Sequence, residues 1–241
     1  MDEFRFKKFT VRQQRASMKV GTDGVLLGAW ADYLVTDKKI LDVGTGTGII
    51  ALIAAQKYSE MGADCSIYAI DIDEDAIFDA SENFASSPWA GNLSARKISL
   101  QEMPSGSDSA YDLIISNPPF FENSFKAPDA QRSMARHTDT LSYSDLLSNA
   151  CRLLKDEGRI ALVLPFGSLS ELRSIAVSNC LKIKHITTVR TTPEKAPKRV
   201  LVELVRTTVP LETRNDELVI QSAGIYSSEY IYLTKGLYLK F

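Results

Sequence analysis

The sequence has no long apolar run, few cysteines and little net charge. No stretch approaches the roughly 20 consecutive apolar residues that cross a bilayer, and the charged residues 1–8 lack the apolar stretch of a secretory signal. The three cysteines (65, 151 and 180) are far apart and include no Cys-x-x-Cys pair, so neither a disulfide framework nor a zinc site is predicted. We therefore expect a cytoplasmic protein without a metal ion.

A net charge of −2 does not mark the whole chain as a nucleic-acid binder, but the charge is unevenly distributed. Residues 1–20 hold six basic and two acidic residues, a local net charge of +4. Phe4, Phe6 and Phe9 lie between these charges. This mixture can bind a phosphate backbone and stack on bases, or it can be a solvated tail, and the sequence leaves both interpretations open.

Short β-branched runs alternate with longer helical stretches, which indicates βαβ units and a parallel sheet covered on both faces. Two further runs, at 183–190 and 199–206, predict an antiparallel hairpin at the edge. The prediction is one α/β domain with a seven-stranded, mostly parallel sheet, and residues 218–241 are expected to be extended structure packed on it. The other predicted strands are 40–43, 66–72, 95–100, 111–116 and 159–164, and the predicted helices are 47–57, 73–84, 144–154 and 169–179.

The first informative motif is the glycine-rich loop at 41–48, Leu-Asp-Val-Gly-Thr-Gly-Thr-Gly. Glycines at alternate positions after a strand let the backbone turn sharply and approach a ligand closely. The next strand ends at Asp71, whose carboxylate can accept both hydroxyls of an adenosine ribose. The alternative for Asp71 is a helix N-cap, for which Asp73 is the better candidate.

The strongest motif is the segment at the end of the fourth strand, where open α/β sheets place their ligands. It consists of Asn117, Pro118, Pro119 and Phe120. The Asn117 side-chain oxygen and the Pro118 carbonyl can accept the two hydrogens of a planar amine, which favours a pyramidal nitrogen and a free lone pair. Phe120 can stack on a base with about 1–3 kcal/mol. A rigid Pro-Pro turn before a buried phenylalanine is the structural alternative.

Together these motifs resemble the class I methyltransferases, Rossmann-like enzymes that use S-adenosyl-L-methionine, and among them the amino-methyltransferases with Asn/Asp-Pro-Pro-Phe/Tyr/Trp. The resemblance implies that Asp42 and Gly44 lie near the amino-acid end of the cofactor. It also implies that Asp71 holds the ribose, with Ile72 against the adenine and Ser99 and Leu100 at its edge. The implied cofactor-binding residues are Lys19, Thr22, Asp23, Asp42, Gly44, Gly46, Gly48, Asp71, Ile72, Ser99, Leu100 and Asn117.

The segments at 9–15, 18–30, 135–138, 198–199 and 226–230 narrow the resemblance to the bacterial tRNA1(Val) (adenine37-N6)-methyltransferases, and it runs through essentially the whole chain. It implies a valine-tRNA anticodon loop as partner, and we favour a monomer. It also implies a lid and RNA-contact extension at 1–38, a core at 39–206 and a C-terminal extension at 207–241. An rRNA adenine or guanine, or a protein glutamine amide, remains the alternative acceptor. The candidate RNA-binding residues are Arg12, Arg15, Arg136, His137, Lys195, Lys198 and Arg199.

Purely structural interpretations of several of these residues remain open. Thr22 and Asp23 could simply cap the helix that follows them. His137 could be solvated or structural, and the basic residues of the late hairpin could form a solvated tip. The sequence alone does not separate these possibilities from contacts with RNA.

Overall fold

The computed structural model describes residues 3–104, 106, 110–119 and 141–240. The largest of the sheets that these residues form has eight strands and is flanked by helices. The strands are β1 (Glu3–Arg5), β2 (Thr10–Arg12), β3 (Lys39–Val43), β4 (Ser66–Asp71), β5 (Leu93–Lys97), β6 (Tyr111–Ser116), β7 (Leu154–Pro165), β8 (Leu181–Arg190), β9 (Arg199–Arg206), β10 (Arg214–Val219), β11 (Gln221–Ser222) and β12 (Ile225–Tyr226). The helices are α1 (Thr22–Trp30), α2 (Ile49–Glu60), α3 (Glu74–Ala85), α4 (Tyr143–Leu153), α5 (Leu169–Ser178) and α6 (Ser228–Thr234).

The strand order in the sheet is β10-β8-β9-β7-β6-β3-β4-β5. Strands β3 to β7 are parallel to one another, and β9 is antiparallel to both β7 and β8. The α/β prediction is therefore confirmed, as is the hairpin of β8 and β9. The sheet has one strand more than predicted, because β10 pairs in parallel with β8 and forms the edge outside the hairpin.

Alternate residues of the central strands pack into two separate hydrophobic cores, one on each face of the sheet. This follows from the side-chain period of two along a strand. Leu113 and Ile115 face the core beneath α1, α2 and α6, whereas Ile114 faces the core beneath α4 and α5. The sheet is thus covered on both faces, which explains why its strands read as continuous apolar runs.

The two ends of the chain pack against each other on the first of these faces. Phe6 and Phe9 are buried in the core, and Phe6 stacks on Tyr238 with ring centroids 5.9 Å apart. The Lys7 N–H donates to the carbonyl of Leu237 at 2.8 Å. The structure therefore favours a packing role for these phenylalanines over base stacking. Residues 218–241 were expected to be extended, but they hold the end of β10, a short hairpin and α6.

No helix in the described part of the chain is long and apolar enough to span a membrane.

Candidate active site

A cavity of about 920 Å³ lies at the carboxyl ends of the parallel strands. This is the position at which open α/β sheets bind ligands, and the volume lies within the range of small-molecule sites. Segments that are distant in sequence meet there because β3, β4, β5 and β6 end side by side. The lining includes ten of the residues predicted to bind the cofactor: Lys19, Thr22, Asp23, Gly44, Gly46, Asp71, Ile72, Ser99, Leu100 and Asn117.

The glycine loop adopts a backbone that other residues seldom reach. Gly44, Gly46 and Gly48 have φ angles of 70°, 56° and 82°, all in the left-handed region. The Gly44 and Thr45 N–H groups donate to the Ile70 carbonyl, which ties the loop to the end of β4. A side chain at Gly44 or Gly46 would project into open space, so these glycines serve the turn and the approach of a ligand.

Gly48 has a different role from the other two glycines. It does not line the cavity, and a Cβ at this position would lie 2.5 Å from the Phe84 ring of α3. Its glycine therefore permits close packing of two helices beneath the loop. Gly48 was predicted to bind the cofactor, and the structure places it as a packing residue outside the cavity wall.

Asp73 caps α3, as the sequence predicts, whereas Asp71 makes different hydrogen bonds. The Asp73 carboxylate accepts from the Asp75 N–H at 2.9 Å and caps α3. Asp71 accepts from the Gly46 N–H at 2.9 Å through one oxygen and from the Asp73 N–H at 3.0 Å through the other. Asp71 is thus held between the glycine loop and the start of α3, with its side chain on the cavity wall.

Asp42 lies beneath the glycine loop and is only 1% exposed. One carboxylate oxygen accepts from the Thr45 hydroxyl at 2.6 Å, and the other has no hydrogen-bond partner among the described residues. Burial raises the pKa of this carboxyl to about 7. The hydrogen bond from Thr45 and the nearby backbone N–H of Ala51, in the first turn of α2, oppose that rise, and the nearby Asp71 charge adds to it. Asp42 does not line the cavity itself.

Residues 116–119 carry the main-chain and side-chain acceptors of the site. The Ser116 hydroxyl donates to the Val43 carbonyl at 2.8 Å, which fixes the end of β6 beside β3. The Asn117 side-chain oxygen is buried and has no hydrogen-bond partner in the described part of the chain. Asn117, Pro118 and Pro119 line the cavity, whereas Phe120 lies outside the described residues.

The segment at 13–21, here called the N-terminal strap, forms one wall of the cavity. Ala16, Ser17, Met18 and Lys19 line that wall together with Gly21. The strap folds back on itself, because the buried Gln13 accepts from the Val20 N–H at 2.8 Å and the Lys19 ammonium donates to the Gln13 carbonyl.

The helix that follows the strap begins without a side-chain cap. The N-cap of α1 is Gly21, which makes no side-chain hydrogen bond. The reading of Thr22 and Asp23 as caps is therefore wrong. Asp23 instead accepts from the Arg199 guanidinium at 2.8 Å, so α1 and β9 meet across the cavity mouth.

Comparison with known proteins assigns the family. A family described as a methyltransferase domain matches residues 34–210. A protein of Parabacteroides distasonis named tRNA1(Val) (adenine(37)-N6)-methyltransferase is 46% identical over 240 residues, covering 98% of each chain. A protein of the same name from Trichodesmium erythraeum is 42% identical, covering 100% of this chain and 99% of that one. This chain belongs to the tRNA1(Val) (adenine(37)-N6)-methyltransferase family.

Solved structures agree with the family at the level of the fold. A predicted O-methyltransferase from Agrobacterium tumefaciens superposes with a TM-score of 0.66 at 16% identity, over 89% of this chain and 96% of that one. A type I restriction-modification methyltransferase subunit from Streptococcus thermophilus gives 0.64 at 15% identity, over 91% and 52%. At these identities the likeness concerns the architecture alone.

Of the described basic residues that the family resemblance singled out, Arg199 lines the cavity, whereas Arg12, Arg15, Lys195 and Lys198 do not. Arg12 lies 3.7 Å from Glu3, and the Arg15 guanidinium lies 3.6 Å from the centre of the Phe78 ring. Lys195 and Lys198 are exposed between β8 and β9. Arg136 and His137 lie outside the described residues.

Two buried polar residues of α3 were missed at the level of sequence. Positions 76, 79, 80, 83 and 84 form one buried stripe of this helix, and two of the five are Asp79 and Asn83. Polar residues in an apolar stripe must find partners, and this is the signal that could have revealed them. Among the described residues, no group of three or more His, Cys, Asp or Glu side chains could hold a metal ion.

Proposed function

We propose that this protein transfers a methyl group from S-adenosyl-L-methionine to N6 of adenosine 37 in the anticodon loop of tRNA1(Val). The names of the relatives support this activity, since they match over nearly the whole chain. The observation that carries the proposal is the buried Asn117 oxygen, which has no hydrogen-bond partner among the described residues and belongs to the cavity wall. A buried acceptor left without a partner costs stability, so its persistence points to a ligand that donates to it.

The cavity has the features that S-adenosylmethionine requires. Asp71 offers its carboxylate to the ribose hydroxyls, and its position is set by two backbone donors. Ile72 is 55% exposed at the cavity wall and offers an apolar face to the adenine, with Ser99 and Leu100 at its edge. Gly44 and Gly46 leave room for the methionine portion, with Asp42 beneath them.

Methyl transfer depends more on how the protein positions the exocyclic amine than on proton transfer by a side chain. When bound, S-adenosylmethionine supplies an electrophilic methyl group on its sulfonium. The Asn117 oxygen and the Pro118 carbonyl accept the two hydrogens of the exocyclic amine, which draws its lone pair out of the ring system. No strong base is needed, because the proton leaves after the nitrogen has become cationic. The stacking role of Phe120 on the adenine stays a prediction.

Contact with tRNA is proposed for the basic residues near the cavity mouth. Arg15 belongs to the strap, whose residues 16–19 line the cavity, and Arg199 lines the same cavity from β9. Arg12, Lys195 and Lys198 extend this set, and Arg136 and His137 follow the Asn-Pro-Pro-Phe segment in sequence. Such contacts to phosphates weaken as salt rises, so binding of tRNA is expected to be strongly salt-dependent. An anticodon-loop base is also less costly to flip out than a base in a duplex.

The test is a methylation assay with cofactor labelled on its methyl group and separate pools of tRNA, rRNA and protein. Label is expected in tRNA, and digestion of the product to nucleosides is expected to yield N6-methyladenosine. Label confined to rRNA or to protein would overturn the assignment in favour of another amino acceptor. A valine tRNA with adenosine 37 replaced by guanosine serves as the matched substrate control and is expected to remain unlabelled.

A further inference from the structure

Two side chains of α3 hold the backbone of the chain immediately before and inside the N-terminal strap. Asp79 is 2% exposed, and one of its oxygens accepts from the N–H groups of both Arg15 and Ala16 at 2.9 Å. Asn83 is 1% exposed and pairs with both main-chain groups of Arg12, accepting from its N–H at 2.7 Å and donating to its carbonyl at 2.8 Å.

Asn83 also reaches the glycine loop on its other side. Its amide nitrogen donates to the Thr47 carbonyl at 2.9 Å, so both amide hydrogens are used. Thr47 lines the cavity, as do residues of the strap. One buried side chain therefore joins the backbone just before the strap to the backbone of the glycine loop, which lines the cavity.

These contacts are specific in a way that simple core packing is not. Asp79 and Asn83 stand four residues apart on the helix, one turn after the other, and both face the strap. Apolar residues at these positions would fill the same space but would leave the N–H groups of Arg12, Arg15 and Ala16 without these acceptors, and the Ala16 N–H is buried. The neighbouring residues of the stripe, Ala76 and Ala80, make room for this arrangement.

We propose that Asp79 and Asn83 are positioning residues that pin the N-terminal strap to the glycine loop and so set the affinity of the enzyme for its cofactor. This inference rests on the proposed function, in that S-adenosylmethionine occupies the cavity. It assigns no chemical step to either residue. Their effect reaches the cofactor through the backbone at 15–19 and at Thr47.

The test measures cofactor binding directly, by calorimetry with S-adenosylmethionine and S-adenosylhomocysteine in the absence of RNA. Asn83→Ala is expected to weaken both ligands by about tenfold, as loss of one or two net hydrogen bonds implies. In the steady state it is expected to raise the KM for S-adenosylmethionine while kcat at saturating cofactor stays near wild type. Asn83→Asp is expected to be at least as damaging, because its second oxygen would face the Arg12 and Thr47 carbonyls.

Two further variants separate positioning from general loss of stability. Asp79→Asn retains an oxygen that can accept from both N–H groups, so it is expected to restore most of the affinity that Asp79→Ala loses. The control is Thr234→Val, which removes a buried hydroxyl donating to the Tyr230 carbonyl at 2.7 Å in the C-terminal helix. It is expected to lower Tm without changing either Kd.

Limited trypsin digestion without ligand provides a readout that does not depend on activity. Cleavage after Arg15 and Lys19, both exposed residues of the strap, is expected to be faster in Asn83→Ala than in wild type or Thr234→Val. Unchanged Kd values in Asn83→Ala and Asp79→Ala would overturn the inference, as would equal weakening by Thr234→Val. A wild-type chain that binds the cofactor but methylates no tRNA would overturn the proposed function and leave this inference standing.

Discussion

Two buried aspartates at opposite ends of β3 have very different surroundings. Asp37 precedes the strand and is 2% exposed, and one of its oxygens accepts from the Leu34 N–H, the Tyr58 hydroxyl and the Arg159 guanidinium. Asp42 lies near the carboxyl end, equally buried, with one hydroxyl donor and an oxygen that has no partner among the described residues. Asp37 has a guanidinium partner and Asp42 has only a hydroxyl donor, although the two residues lie only five positions apart.

This contrast distinguishes the amino edge of the sheet, where Asp37 is ion-paired with Arg159, from the carboxyl edge, where the cavity lies. At the amino edge Asp37 is matched by a guanidinium, so its charge is compensated within the fold. At the carboxyl edge the Asn117 oxygen lies in the cavity wall without a partner among the described residues, and under the proposed function the substrate amine donates to it. Asp42 is buried beneath the glycine loop at the same edge and does not line the cavity. Variants at the first end should therefore change stability, and variants at the second should change binding or turnover.

The largest effect is expected from Asp37→Ala, which removes the carboxylate and leaves Arg159 buried without its partner. Breaking a buried pair in this way costs about 3–5 kcal/mol of unfolding free energy. Urea unfolding measures the loss, and the cofactor Kd of the folded fraction is expected to equal that of wild type. A loss below 1 kcal/mol would contradict the view that this end of the sheet is held by the ion pair.

Asn117→Ala is expected to lower turnover while leaving stability and cofactor affinity nearly unchanged. Removing one preorganised acceptor typically lowers kcat by about 10²–10³. The substitution removes a buried acceptor that has no partner among the described residues, so Tm should stay the same or rise slightly. Single-turnover methylation of tRNA measures the loss, and calorimetry measures the retained affinity for the cofactor. Unchanged turnover would remove Asn117 from the proposed mechanism.

The order of elements at the cofactor end could be predicted from the sequence because each is encoded locally. The glycine loop, the acidic strand end and the Asn-Pro-Pro-Phe segment each follow an apolar run, and parallel strands bring their ends together. The assignment of Asp73 as the cap of α3 is confirmed for the same reason, since capping depends on adjacent backbone groups.

The contacts that join distant segments could not be predicted in this way. The pairing of Asp23 with Arg199 spans 176 positions, and the Asn83 bridge joins residues 12 and 47 through a third element. The parallel pairing of β10 with β8 depends on a chain reversal that no local pattern marks. The burial of Phe6 and Phe9 depends on the C-terminal segment, for which the sequence predicts extended structure.

A third variant, Asp42→Asn, tests whether the buried charge of Asp42 lowers the stability of the folded protein. Burial raises the pKa of this carboxyl from an ordinary value of 3.8 to about 7, so the folded protein binds a proton more tightly than the unfolded chain. The contribution of this group to stability therefore falls as pH rises from about 4 to 7, and the whole penalty is present above 7.

Asn imitates the protonated carboxyl at every pH, so the variant is expected to match wild type near pH 4. It is expected to be more stable at pH 8 by up to about 4 kcal/mol, the amount that a pKa raised from 3.8 to about 7 implies, which corresponds to a rise in Tm of roughly 8–16 °C. Thermal unfolding of both proteins across this pH range measures the difference. A difference that does not change with pH would contradict the raised pKa. Cofactor affinity is expected to fall, because Asp42 is proposed to lie at the amino-acid end of the ligand.

The smallest effect is expected from Asp73→Ala, which is compared with Asp71→Ala at the same wall of the cavity. Asp73 lines the cavity, yet its carboxylate caps α3 through the Asp75 N–H, so the variant should lose about 1 kcal/mol of stability. Its cofactor Kd should stay within about twofold of wild type, because its carboxylate is engaged with the Asp75 N–H of α3 and is not proposed to contact the cofactor. Asp71→Ala is the matched comparison, and it is expected to weaken cofactor binding severely. Equal losses of affinity in the two variants would mean that the start of α3, rather than the Asp71 carboxylate, forms this part of the binding site.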